Sequence, residues 1–216
     1  MTQPPPTALE TRQSAGARLS SPSAARNGQA IAAVLAGILP PEARVLEIAS
    51  GTGEHALACV SQRRDLAWQP SDPDPVSRAS IDSWAQDAAG RIARALDLDA
   101  ALPGWWRAAG HSVDAVFCAN MIHIAPWAAA EGLIEGSAAL LPAGGLLVLY
   151  GPFLEGEATA PSNLAFDASL KSRDPRWGVR ARSAVEELAA RYGLLLSRRI
   201  EMPANNLTLV FAKGAS

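Results

Sequence analysis

Neither sign of charge is in excess in this 216-residue chain: 19 Lys and Arg stand against 21 Asp and Glu, for a formal charge of −2. That balance gives no electrostatic basis for holding a nucleic-acid backbone or an anionic membrane. Cysteine is scarce. Cys59 follows a glycine-rich turn in an expected helix and Cys118 ends an expected strand. They form no spaced metal motif, and both read as small buried hydrophobes in a reducing compartment. No apolar run approaches the roughly 20 residues of a membrane span. Residues 1–23 contain no apolar core run, which argues against a secretory leader, and Arg12 and Arg18 lack the amphipathic stripe of an organelle-targeting segment. That stretch, rich in Pro, Ser, Thr and Ala, is expected to be a disordered tail. With no internal repeat, residues 24–216 are expected to form a single soluble, cytoplasmic domain.

What the chain does contain is an alternation of short strands and helices. "AARNGQAIAAVLAGIL" places Ile31, Val34, Leu35 and Ile38 at helical spacing before Pro40-Pro41 stops it. "ARVLEIA" reads as a first strand and is followed by a helix from about Glu54. "LAWQPSD" reads as a second strand, with a helix over about 76–89 after it. The end of "RIARALDLDA" supplies a third strand and "VDAVFCAN" a fourth. A helix over about 127–141 and the strand in "PAGGLLVLYGPF" complete five alternations. The last two runs, "LLLSRRIEM" and "LTLVFAK", are separated only by a few residues around "PANN", too short for a crossover helix, so they pair as an antiparallel hairpin. The expected fold is therefore α/β. It is a Rossmann-like, seven-stranded, mostly parallel sheet with a C-terminal antiparallel hairpin and helices on both faces, the layout of class I methyltransferases.

The turn "IASGTGEHA" brings Gly51 and Gly53 around Thr52, directly after the first strand. A turn of this kind lets backbone approach a ligand, and by itself it fits either a dinucleotide or S-adenosylmethionine. The acidic residues separate the two. Glu47 lies within the first strand, where a carboxylate is costly unless a cation is near. S-adenosylmethionine brings an ammonium and a sulfonium, whereas a pyrophosphate would be repelled. Asp72 closes the second strand, where it suits both ribose hydroxyls, although "SDPDP" also allows it to cap the next helix. Asp99 closes the third strand near an adenine amino group, with Asp97 as its alternative, and Asn120 ends the fourth beside the amino-acid end of the cofactor.

With these residues in place, the chain resembles the methyltransferase-like 26 family, class I methyltransferase-like proteins of poorly defined substrate. The resemblance runs from about Ser21 to Lys213. It rests on "SPSAARN", "VLEIASGTGEHA", "WQPSD", "NMIHIAPW", "LLVLYGPF", "SNLAFDASLKSRDPRWGVR" and "MPANNLTLVF". The resemblance implies S-adenosylmethionine as cofactor, held by Glu47, Ser50, Gly51, Thr52, Gly53, Asp72, Asp99 and Asn120. One departure is Ala181, where the family tends to carry an acidic residue after Arg180.

Methyl transfer from a sulfonium is an in-line displacement, so the protein mainly aligns a nucleophile, excludes water and, where needed, removes a proton. His123, three residues past the fourth strand, is the candidate general base, against the alternative of a locally bonded turn histidine. Tyr150, ending the fifth strand, is a candidate for positioning substrate or a core tyrosine. Arg173, Trp177 and Arg180 form a candidate substrate lid, the alternative being a segment held by its own Arg–Asp pairs. Asn205 lies on the same rim, facing substrate or stabilising its turn. His55 is expected to start the first helix after the glycine turn, and His111 to sit in an exposed loop. "NMIHIAPW" has Met121 and Ile122 where amino-group methyltransferases of DNA carry prolines, which argues against a nucleic-acid substrate. The reading that follows is a methyltransferase acting on a small molecule, with no metal. Its rivals are a non-catalytic cofactor-binding or protein-interaction module and an NAD-dependent oxidoreductase.

Overall fold

A computed structural model describes residues 12–110 and 112–215; His111 lies outside them. The chain divides into two compact units, one running to Leu98 and including Val113–Ala115, the other made of Asp99–Ser112 and the chain from Val116 onward.

In the first unit the chain enters as a hairpin, β1 (Gln13–Ala15) and β2 (Arg18–Ser20), antiparallel with Gln13 opposite Ser20. This hairpin falls within the stretch expected to be a tail, whose residues 1–11 lie outside the described ones. The hairpin turns at Gly16, whose φ of 65° suits glycine. Pro22 opens α1 (Pro22–Ile38), which buries Ile31, Ala32 and Leu35 and stops before Pro40. Next come β3 (Arg44–Ile48), α2 (Glu54–Gln62), β4 (Ala67–Pro70) and α3 (Pro75–Ala85). β3 and β4 pair in parallel, with Glu47 opposite Pro70. Val45, Leu46, Ile48 and Trp68 are buried together with Ile31, Leu35 and Ile81. This is the continuous apolar run that a parallel strand covered on both faces requires.

The expected third strand is reduced to two bridges, Trp68 to Ile92 and Ser71 to Leu96. Proline is the cause. Trp68 exchanges both ladder bonds with Arg91 and Ala93, but Pro70 has no N–H to continue the ladder. The Ala95 N–H turns instead to the Asp82 carboxylate at 2.8 Å, and pairing resumes one residue late, from Leu96 N–H to Pro70 carbonyl.

The second unit contains β5 (Ala115–Ala119) apart from its first residue, α4 (Trp127–Leu140), β6 (Leu146–Pro152), α5 (Pro161–Arg173), α6 (Arg182–Arg191), β7 (Leu194–Met202) and β8 (Asn206–Lys213). β8 is antiparallel to β6 on one side and to β7 on the other, with an irregularity at Leu196/Arg198. The closing hairpin expected from the short "PANN" connection is present. α5 was not expected: its sequence, "PSNLAFDASLKSR", has a weak apolar stripe and opens on proline. No helix among the described residues is long and apolar enough to cross a membrane.

Candidate functional site

Three residues in left-handed conformations, Ala49, Gly51 and Gly53 with φ of 55°, 61° and 92°, shape the turn between β3 and α2. The two glycines serve different ends. A Cβ on Gly53 would stand 2.8 Å from the Ile81 Cα, so this glycine allows α3 to pack against the start of α2. Among the described residues, a Cβ on Gly51 would meet only the Arg12 guanidinium, at 3.5 Å. Gly51 carries no comparable packing contact with a neighbouring helix among the described residues.

Beneath the turn lies Glu47, 1% exposed, its carboxylate accepting from Trp68 Nε1 at 2.9 Å. Burial raises its pKa to about 7, against the pull of hydrogen bonds from Trp68 and Ser50. Its backbone carbonyl accepts from the Ser71 hydroxyl at 2.7 Å, and Ser50 and Ser71 are joined by a bond from Ser50 N–H to Ser71 carbonyl. Asp72 closes this group. One carboxylate oxygen accepts the Gly51 N–H at 2.9 Å and the other the Asp74 N–H at 3.0 Å. Burial pushes its pKa up as well. The helix cap belongs to Asp74, which accepts from the Val76 and Ser77 N–H groups. Thr52 turns its hydroxyl to Glu54 at 2.7 Å, and its carbonyl accepts from Ser80 at 2.8 Å.

Glu47, Ser50, Gly51, Thr52, Gly53 and Asp72 are thus brought together within the first unit. Asp97 is engaged elsewhere, 3.1 Å from the Arg78 guanidinium. Asp99 belongs to the second unit and accepts the Ala101 N–H at 2.9 Å. Trp68, Ser71, Glu54, Ser80 and Arg12 were not anticipated around the turn. Ser71 was legible in principle, from its place beside Asp72 in "PSD"; the others depend on register and helix packing.

In the second unit, Asn120 ends β5 with φ of 62°, its N–H donating to the Tyr150 carbonyl. A short 3₁₀ turn, Met121–His123, follows. His123 is fully buried, edge-on to Phe153 with ring centroids 5.1 Å apart. Its Nδ1 accepts the Arg180 N–H at 3.2 Å, which leaves the ring proton on Nε2. Burial and the nearby Arg180 guanidinium lower its pKa to about 3. A neutral ring with its Nδ1 lone pair already engaged is a hydrogen-bond donor at Nε2, which favours donation over the general-base role expected for His123. Nε2 has no hydrogen-bond partner among the described residues, and a Cβ on Gly151 would lie 2.6 Å from it.

The candidate lid is tied to its own unit. Arg180 donates from Nε to the Ile122 carbonyl at 2.8 Å and from Nη2 to the carbonyls of Ala125 and Arg176 at 2.7 and 2.9 Å. Its guanidinium also lies 5.5 Å from the centroid of the Trp127 ring. Through these bonds Arg180 holds "WGVR" against "HIAPW", which favours the alternative of a segment held by its own bonds. Carbonyls take the place of the acidic neighbour that Ala181 does not supply. Arg176 pairs with Asp174 at 2.7 Å. Trp177 and Arg173 are part-buried, the Trp177 N–H donating to the Asp174 carbonyl. Asn205 bonds within its own rim: its side-chain amide donates to Ser162 at 2.9 Å, and its backbone carbonyl accepts from Asn163 at 3.0 Å. Tyr150 is a buried residue of β6, opposite Thr208 of β8.

Residues 18–213 match the family of proteins of unknown function DUF938, and the chain belongs to that family. Its fold is similar to that of solved methyltransferases. An O-methyltransferase family protein from Burkholderia thailandensis superposes with a TM-score of 0.74 at 16% identity, covering 88% of this chain and 57% of that one. The mitomycin 7-O-methyltransferase MmcR gives a TM-score of 0.75 at 16% identity, covering 90% and 55%. CalO1, a methyltransferase of calicheamicin biosynthesis solved with S-adenosylhomocysteine bound, gives 0.72 at 19% identity, covering 89% and 54%. The chain thus spans little more than half the length of these structures. At such identities the likeness concerns the fold: α/β, with a mostly parallel central sheet, antiparallel strands and helices.

Proposed function

We propose that this DUF938 protein binds S-adenosylmethionine at the glycine turn of its first unit and transfers the methyl group to a small molecule. The observation that carries the reading is the pair of buried carboxylates around the glycine turn. Glu47 lies beneath the turn with its pKa displaced upward by burial, and Asp72 is bonded to the Gly51 N–H. A pyrophosphate placed there would face two negative charges, whereas an ammonium or sulfonium would relieve the buried acid. That Asp72 oxygen retains lone-pair capacity for a ribose hydroxyl. Asp99 and Asn120 complete the cofactor set of this reading on the strength of their sequence positions, and the resemblance to methyltransferase-like 26 proteins supports the same assignment.

When bound, the cofactor supplies an already activated methyl group, which leaves positioning and exclusion of water to the chain. Neutral His123 can offer a proton at Nε2 for a hydrogen bond but cannot accept one at Nδ1 while Arg180 occupies it. An acceptor that is itself ionised, or that loses its proton to water, suits such a site. Trp177, Arg173 and Tyr150 remain the residues assigned to the acceptor. The test is calorimetry with S-adenosylhomocysteine and NAD, followed by a turnover screen over small-molecule acceptors. Binding of the former in the low-micromolar range without competition from NAD is expected, and the reverse order of affinities overturns the proposal. A second reading, a non-catalytic cofactor-binding module, is favoured by one observation: Arg180, Arg176 and Asn205 each bond to groups of their own unit. Binding without consumption across the screen would establish it.

A further inference from the structure

The N-terminal hairpin is fastened to α3 at several points. Arg18 donates to the Ser83 carbonyl at 2.8 Å, pairs with Asp87 at 2.8 Å and lies over the Trp84 ring at 4.5 Å. Trp84 Nε1 donates to the Leu19 carbonyl at 2.9 Å. The Leu19 N–H donates to the Ser80 hydroxyl at 2.8 Å, and that hydroxyl donates in turn to the Thr52 carbonyl in the glycine turn. The hairpin is therefore anchored through one serine to the turn itself.

This anchoring places Arg12, directly before β1, over Gly51. Nη1 donates to the Ser77 hydroxyl at 3.1 Å, and Nη2 stands 3.5 Å from the Cβ position of Gly51. Nη2 makes no hydrogen bond among the described residues. Pairing with Asp74 does not account for the arrangement: the separation is 4.0 Å and the Asp74 side chain is 45% exposed, a geometry that contributes little. The other arginine nearby is committed, since Arg78 donates to the carbonyls of Asp72 and Pro73 and pairs with Asp97.

The amino-acid end of the proposed cofactor is a zwitterion. Glu47 beneath the turn answers its cationic side and leaves its carboxylate without a partner. We infer that Arg12 is a cofactor-binding residue, its guanidinium receiving that carboxylate above Gly51, so that residues 12–20 form part of the site. The inference rests on the proposed cofactor. A guanidinium suits this role because it presents paired N–H donors to a carboxylate.

Calorimetry on the full chain with two ligands tests it: S-adenosylhomocysteine, which carries the amino-acid carboxylate, and 5′-methylthioadenosine, which lacks it. Arg12→Ala is expected to weaken S-adenosylhomocysteine by about tenfold or more and to leave methylthioadenosine within about twofold of wild type. Arg12→Gln, which keeps the stem packed and removes the charge, should show the same contrast even if the alanine variant loosens the hairpin. Unchanged affinity for S-adenosylhomocysteine, or equal loss for both ligands in the glutamine variant, overturns the inference while the cofactor reading stands. If wild type binds neither ligand, the cofactor reading itself fails.

Discussion

Glu47 and His123 are buried to the same degree, 1% and 0% exposed, yet the two units treat them differently. Around Glu47 the unit leaves a need: a carboxylate held by Trp68, a second acid at Asp72, and a glycine with only the Arg12 guanidinium near it among the described residues. Around His123 the unit meets one side of the ring and leaves the other, Nε2 having no hydrogen-bond partner among the described residues. The ring nitrogen accepts from Arg180, and the Arg180 side chain closes onto three backbone carbonyls. A buried charge without a partner costs free energy and so marks a place where a ligand can restore it. The bonds from the Arg180 side chain to backbone carbonyls mark architecture. The lesson is that charge-bearing side chains near a strand end do not by themselves identify a site; what remains unsatisfied does.

The strongest challenge to this contrast is Arg180→Ala. Three carbonyls lose their donor and the segment from Trp177 to Arg180 loses its tie, so a loss of about 2–4 kcal/mol in stability is expected. Denaturant melts should show it, while the affinity for S-adenosylhomocysteine stays unchanged. A stable variant with impaired turnover would return Arg180 to the substrate.

Asp72→Ala should act on the other unit in the opposite sense. Loss of a charged acceptor is expected to weaken S-adenosylhomocysteine by about 1.5–3 kcal/mol. A smaller drop in stability, about 1 kcal/mol, should accompany it, because the Gly51 and Asp74 N–H groups lose their acceptor. An unaltered dissociation constant alongside a lowered melting temperature would make Asp72 purely structural.

The finest discrimination comes from pH. The Glu47 pKa rises on folding from 4.5 to about 7, so the folded form holds its proton more tightly than the unfolded chain. Its contribution to the ligand-free protein is complete below 4.5 and is lost as pH rises towards 7, at roughly 1 kcal/mol per pH unit. His123 behaves oppositely. Its pKa falls from 6.5 to about 3, so its contribution is present above 6.5 and is lost as pH falls below it. Unfolding measured from pH 5 to 8 should show Glu47→Gln gaining relative stability at the alkaline end and His123→Gln at the acid end. Identical pH profiles for both variants would remove the distinction between the units.

Much of the first unit was legible in the chain. β3, α2, β4 and α3 fall where apolar runs and turn residues put them, because each signal is local: Pro40 stops a helix, and Gly51 and Gly53 permit a left-handed turn. Their separate tasks were not legible, since only the packing of Ile81 shows what Gly53 admits. The hairpin over 13–20 was missed because strands of three residues carry too little apolar pattern to register. Its one cue was Gly16 between "QSA" and "RLS". The third strand appeared in sequence but was interrupted in space, because the effect of Pro70 depends on which strand is its neighbour.

In the second unit, the sequence determined the closing hairpin and the position of Asn120 at a strand end, both consequences of segment length and apolar run. It brought His123, Arg180 and Asn205 forward as chemically capable residues, which is all that residue type can establish. Tertiary structure decided what they do. A histidine acts as base or donor according to which nitrogen is engaged, and Arg180, 57 positions away in the chain, engages it. An arginine serves substrate or scaffold according to whether carbonyls have already taken its donors. Composition and periodicity act over a few residues and so fix elements; hydrogen-bond satisfaction is settled between residues distant in sequence, and only folding brings those partners within reach.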